Sequence, residues 1–248
     1  MCEGPVMSEW KQKRFWNNVH VVSSEVGYFI KLDNKILRTP AKKQMMLPTE
    51  VLAKKVASEW DEQVEEIDPT TMPFTKSANV ALDKVSEQFE EVSSLLGEYG
   101  ETDLLYYRAD SPPELQKRQK TGWDPIVKWA ENTFKVHINS GTGIVYIPQN
   151  EKLFLETRRK INNLSIFELT AFYDMVSITG SLILGLAIID RRLSAEEAYQ
   201  LSRIDEQWQL EQWGEDEEAQ VASNLKNIAI LHSEEFFALS DRNKSTFF

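Results

Sequence analysis

Polar and apolar residues alternate along the first part of the chain, and then the period changes. "FWNNVHVV", "VGYFIKL", "KILRTP" and "QMMLP" read as short half-buried strands. Asp33-Asn34, between two of these runs, signals a tight antiparallel turn. After Pro48 the period becomes helical. Thr49 is placed to cap a helix whose apolar face carries Leu52, Val56, Trp60, Val64 and Ile67. Trp60 lies mid-stripe and is assigned a structural, core role. "IDPTTMPFT" ends this helix through Pro69 and Pro73, which sets an expected boundary between domains 1–75 and 76–248.

Beyond that boundary the helical period dominates. Ala81, Val85, Phe89, Val92 and Leu96 mark a helix from Ser77, and Trp123, Val127, Ala130 and Phe134 mark one opening at Pro112-Pro113. "KVHINSGTGIVYIP" reads as two short extended pieces around a Gly-x-Gly turn. Four helices are then expected, at roughly 150–163, 165–190, 194–213 and 217–239. Ser194 and Glu197 form a capping box for the third. Its inward face is expected to carry Leu201, Ile204, Trp208 and Gln212, with Asp205 beside them as a paired, partly buried structural acid.

The run Leu169 to Ile189 is long enough to span a bilayer. Asp174, Thr170, Ser177, Thr179 and Ser181 count against that, as does the lack of a second apolar run. The expectation is one buried central helix, with Ser177, Ser181 and Gly185 on a shared face where a neighbour approaches closely.

Composition narrows the chemistry. The chain has 248 residues and a net charge of -11. Such a charge disfavours nucleic acid and anionic membranes as partners. Cys2 is the single cysteine, so neither a disulfide framework nor a cysteine metal centre is expected, and a reducing compartment fits. "MCEGPVMSEWKQKRFW" has no apolar core of a secretory signal. His20, His137 and His232 lack metal-ligand spacing. "GTGIVYI" leads into a strand-like run and not a helix N-terminus, so it is a turn and not a phosphate loop. "KRQK", Lys117 to Lys120, is read as a solvated helix face.

The unusual feature is acidic. Between Glu196 and Glu218 stand nine acids and one base, Arg203. "EDEE" at the start of the last helix complements its dipole, which accounts for two or three of them. The remainder suit a protein-binding surface, an acidic rim around exposed tryptophans, where the aromatic rings supply contact area and the carboxylates steer a basic partner. A carboxylate-dependent hydrolase is the alternative, although Asp205 and Glu211 on one helix do not face each other. The segment Lys31 to Lys43 is basic in contrast, with five bases against Asp33.

Several long segments resemble one family. "RTPAKKQMMLPTEVLAKKVASEWDEQVEEIDPTTMPFTKSANVALD", "YGETDLLYYRADSPPEL", "WDPIVKW", "SITGSLILGLAI" and "LSRIDEQWQLEQWGEDEE" are similar to the F1-ATPase assembly chaperones that act on the alpha subunit, from mitochondria and alpha-proteobacteria. The resemblance covers about Lys13 to Leu239. It implies an α+β fold, with a small mixed α/β N-terminal domain of antiparallel strands and a larger all-helical C-terminal domain. It implies no enzyme activity and no cofactor. The implied partner is the free F1-ATPase alpha subunit, held by a monomer in the bacterial cytoplasm or the mitochondrial matrix. A glutamate required in the family falls in the segment of Glu206, Glu211, Glu215 and Glu217; which position it is stays open. With Trp213 and Asp216 these are the expected partner-binding residues. Trp60 matches a family tryptophan tied to integrity.

Overall fold

The structure is a computed structural model that describes residues 13–214 and 217–241. Within them the chain forms two compact units, one running to Asn79 and one covering Val80–Leu239. The expected boundary at 75/76 falls a few residues earlier, inside a helix.

The first unit is built on an antiparallel hairpin, β1 (Val19–Ser24) and β2 (Gly27–Leu32), in the register Val19 to Leu32. Two short strands, β3 (Lys35–Ile36) and β4 (Met46–Leu47), share the other edge of β2. Asp33 takes a left-handed φ of 51° at the turn. Its carboxylate accepts the backbone N–H groups of Asn17 and Asn18, and those bonds hold its pKa below the usual carboxylate range. Gly27 is required by closeness: a Cβ there would lie 2.6 Å from the carbonyl oxygen of Leu47.

Helix α1 (Glu50–Asp61) packs on β1 and β2 and buries Leu52, Ala53 and Val56 against Ile30, Leu32 and Leu47 of the sheet. Thr49 caps it as expected, accepting from the Leu52 N–H. The helix is shorter than the periodicity predicts. It stops at Asp61, so Val64 lies exposed beyond it. The chain then turns where Gln63 bonds Asp68 and Thr71, a local polar network that outcompetes one more helical turn. Glu59 of α1 reaches the start of α2 (Pro73–Val80) and accepts the N–H groups of Phe74 and Thr75 and the Thr75 hydroxyl. A buried carboxylate thus satisfies donors that the helix leaves open. Trp60 sits half-buried with its ring 5.2 Å from that of Trp16.

The second unit is helical, with one short parallel pair of strands, β5 (Tyr107–Arg108) and β6 (Gly141–Thr142). The helix expected from Ser77 is not continuous. A π-helical turn, Ala81–Val85, follows α2, and α3 (Phe89–Glu101) starts separately. Helix α4 (Pro113–Phe134) runs through Pro125. After α5 (Glu151–Asn162) comes the apolar run, and here the single central helix gives way to two. Helix α6 (Ile166–Thr179) ends at Gly180, whose φ of 66° is left-handed, and α7 (Leu182–Ile189) begins after Ser181 caps it. Ser177, Ser181 and Gly185 therefore share no helix face. Gly185 still serves close approach: a Cβ there would meet the Val176 methyl at 2.6 Å, so α7 folds back onto α6.

Asp103 fixes the start of α7. Its carboxylate accepts the Ile183 N–H (3.0 Å), the Ser181 hydroxyl (2.8 Å) and the Leu105 N–H (2.9 Å). The group is fully buried, and burial pushes its pKa up to about 6 against the pull of those donors. Among the described residues no helix is long and apolar enough to cross a membrane. "IVYI" forms no strand pair; Ile144, Val145 and Tyr146 lie exposed because no neighbouring edge reaches them.

Candidate functional site

The acidic segment occupies α8 (Ala195–Ser202), α9 (Ile204–Trp213) and the start of α10 (Glu217–Ser240). The expected helix 194–213 is two helices, separated at Arg203. The Ser194–Glu197 capping box opens α8, and the Ser194 N–H holds the Glu197 pKa down. The break at Arg203 re-aims α9, so its inward face differs from the one a continuous helix would have. Gln212 is exposed, and Leu201, Ile204 and Trp208 are only half-buried.

Four contacts tie this segment to α4. Gly122 lets it approach: a Cβ there would come within 2.9 Å of both Leu201 and Ile204 side chains. The Trp123 indole N–H donates to the Leu201 carbonyl at 2.8 Å. Gln119, buried, donates to Asp205 at 2.7 Å while its own carbonyl oxygen accepts the Ala109 N–H. Arg118 forks onto Glu211 with bonds of 2.7 and 2.6 Å, and its guanidinium lies 4.9 Å from the centre of the Trp208 ring. The fork lowers the Glu211 pKa and raises that of Arg118. Arg108 backs the assembly, bonded to Asp124 and set over the Trp123 ring at 4.9 Å.

The expected site residues therefore separate. Asp205 is a paired, half-buried acid. Glu211 faces Arg118 of its own chain, so its carboxylate orients α9. Glu206 is exposed, with Arg203 at 3.5 Å. Trp213, at the last turn of α9, is 81 % exposed. Glu217 is exposed at the start of α10. Glu215 and Asp216 lie outside the described residues. Sequence reasoning missed Arg118 and Gln119. "KRQK" is a solvated face only in part, and Arg203 is not the sole base answering the acids. Nothing local signals this pairing, because Arg118 and Glu211 are 93 residues apart.

This arrangement suits holding and not hydrolysis. The two carboxylates named for a hydrolase, Asp205 and Glu211, each spend an oxygen pair or a lone pair on a neighbour within the chain. Among the described residues no cluster of His, Cys, Asp and Glu has the geometry of a metal centre. What faces outward along this segment is the Trp213 indole and, elsewhere on α9 and α10, the Glu206 and Glu217 side chains.

Residues 13–131 match the family described as ATP12 chaperone protein. The mitochondrial protein atp12 of Schizosaccharomyces pombe is 29% identical over 229 residues, which cover 87% of this chain and 79% of that one. The crystal structure of Atp12 from Paracoccus denitrificans superposes with a TM-score of 0.91 at 45% identity, over 94% of this chain and 100% of that one. The Atu1473 protein of Agrobacterium tumefaciens superposes with a TM-score of 0.87 at 35% identity, over 92% of this chain and 86% of that one.

Proposed function

The chain belongs to the ATP12 chaperone family, and from that premise we propose that it is an assembly factor for the F1 sector of ATP synthase, holding the free alpha subunit and shielding its beta-facing surface. An unassembled ring subunit exposes an apolar interface, and such surfaces aggregate by the same forces that assemble them. A protein that covers this surface and later yields it needs a grip of moderate strength, partly electrostatic.

The observation that carries the reading is Trp213, 81 % exposed at the end of a helix that Arg118 and Gln119 lock in place. A solvent-facing indole on an anchored helix offers the large aromatic contact area that dominates binding energy at protein interfaces. Glu206 and Glu217, with Glu215 and Asp216, supply the negative rim; Glu211 keeps α9 oriented. The partner surface is then apolar with basic residues around it. The work takes place in the bacterial cytoplasm or, for a mature mitochondrial form, the matrix, with the free chain a monomer.

A pull-down with separately expressed alpha and beta subunits tests this. Alpha is captured and beta is not. Trp213→Ala weakens capture by about 2 kcal/mol, the usual size for a central aromatic anchor, while the melting temperature holds. Glu206→Lys with Glu217→Lys weakens it further. Capture of neither subunit sinks the reading, and undiminished capture by all these variants sinks the assignment of the surface.

A further inference from the structure

The first half of α10 is amphipathic in the wrong sense for a helix on a protein core. Val221, Leu225 and Ile228 follow each other at helical spacing on one face, and they are 60 %, 62 % and 64 % exposed. The face turned inward is polar. Ser223 receives the Tyr199 hydroxyl, which lies 2.8 Å from its carbonyl oxygen and 2.9 Å from its own hydroxyl. Asn227 turns its side-chain oxygen into the interior, where it finds no donor. Between this seam and α8–α9 lies a cleft of about 210 Å³ lined by Gln200, Gln207, Ser223 and Asn224 among others. Only further along, at Ile230 and Phe236, does α10 bury apolar side chains in its own unit. A helix that keeps its polar side in and its aliphatic side out, while anchored by its far end, is placed to be covered by something else.

The charges around the stripe indicate its occupant. Glu217, exposed, precedes Val221 by one turn and shares its face. Lys226 points elsewhere around the helix. An aliphatic strip that opens on a carboxylate matches a segment that is apolar along its length and carries Lys or Arg at its end. A second copy of this chain would bring like charges to the same place.

We infer that the Val221–Leu225–Ile228 face of α10 is a docking surface for an apolar, basic-ended segment of the client. This rests on the reading of the protein as a holder of the F1 alpha subunit and names the surface that does the covering. Because the three side chains are already in water, polar replacements there cost the free chain little.

The test is binding of separately expressed alpha subunit to the full chain, measured by titration calorimetry. Leu225→Gln with Ile228→Gln weakens binding at least 10-fold, with unchanged melting temperature and helical content. Lys226→Gln binds as wild type. A photo-crosslinking residue at position 225 of the otherwise native chain attaches to alpha, which covers the case of a poorly folded double variant. If wild type binds alpha and the double variant binds it equally, the docking surface is refuted while the alpha-subunit reading stands. Wild type that does not bind alpha overturns both. Sedimentation showing a wild-type dimer that the double variant abolishes reassigns the face to self-association and overturns the proposal.

Discussion

At the scale of single residues, carboxylates both buried and exposed serve to position helices. Glu59 caps α2, Asp103 starts α7, and Asp205 and Glu211 fasten α9, each from a distant element or onto one. Asp103 carries a cost that depends on pH. Its folded-state pKa, pushed up to about 6, lies above the ordinary value of 3.8. Between these values the folded chain keeps a proton that the unfolded chain releases. The group's contribution to stability is therefore full below about pH 4 and lost as pH rises through about 6. Asp103→Asn removes the titration and adds a constant offset from the lost acceptor. Urea unfolding across that window should show wild type losing up to about 3 kcal/mol relative to the variant. A difference that stays flat from pH 4 to pH 7 would show that Asp103 ionises in the fold as readily as in the unfolded chain.

At the scale of elements, breaks matter more than helices. The apolar run 169–189 suits one long helix on composition alone, yet Gly180 adopts a left-handed φ and α7 returns along α6. The two glycines act differently, and substitution separates them. Gly180→Ala meets open space but puts a Cβ in the left-handed region, which costs about 1 kcal/mol. Gly185→Ala drives a Cβ into Val176 and costs about 1–3 kcal/mol from overpacking. Chemical denaturation of both variants checks the order; a neutral Gly185→Ala would mean that α6 and α7 separate freely. The break at Arg203 has the same standing for the site. It turns α9 so that Trp208 lies under Arg118 and Trp213 faces water.

For the whole molecule, charge sets the conditions of work. With a net charge of -11 and an exposed acidic rim, capture of a basic-edged partner should weaken several-fold between about 0.05 M and about 0.5 M salt, because the screening length falls from about 14 Å to about 4 Å over that range. The apolar contact on α10 should leave a salt-insensitive remainder. Binding measured across that range checks both, and a constant affinity would point to an apolar interface without electrostatic help.

What is local could be read along the chain. Alternation gave the hairpin and its Asp33-Asn34 turn, the helical period of apolar positions gave the helical second part, and short-range side-chain chemistry gave the Thr49 cap and the Ser194–Glu197 box. These depend on neighbours a few residues away, so spacing encodes them. Tertiary structure decided the rest. Arg118 meets Glu211 across 93 residues, Gly180 breaks a run that reads as continuous, and α10 turns its aliphatic side to water. An apolar stripe states that something will cover it; whether that is the chain's own core or another molecule depends on what packs behind the opposite face. Here Tyr199 and Ser223 hold the polar face inward, and that choice is written in the fold alone.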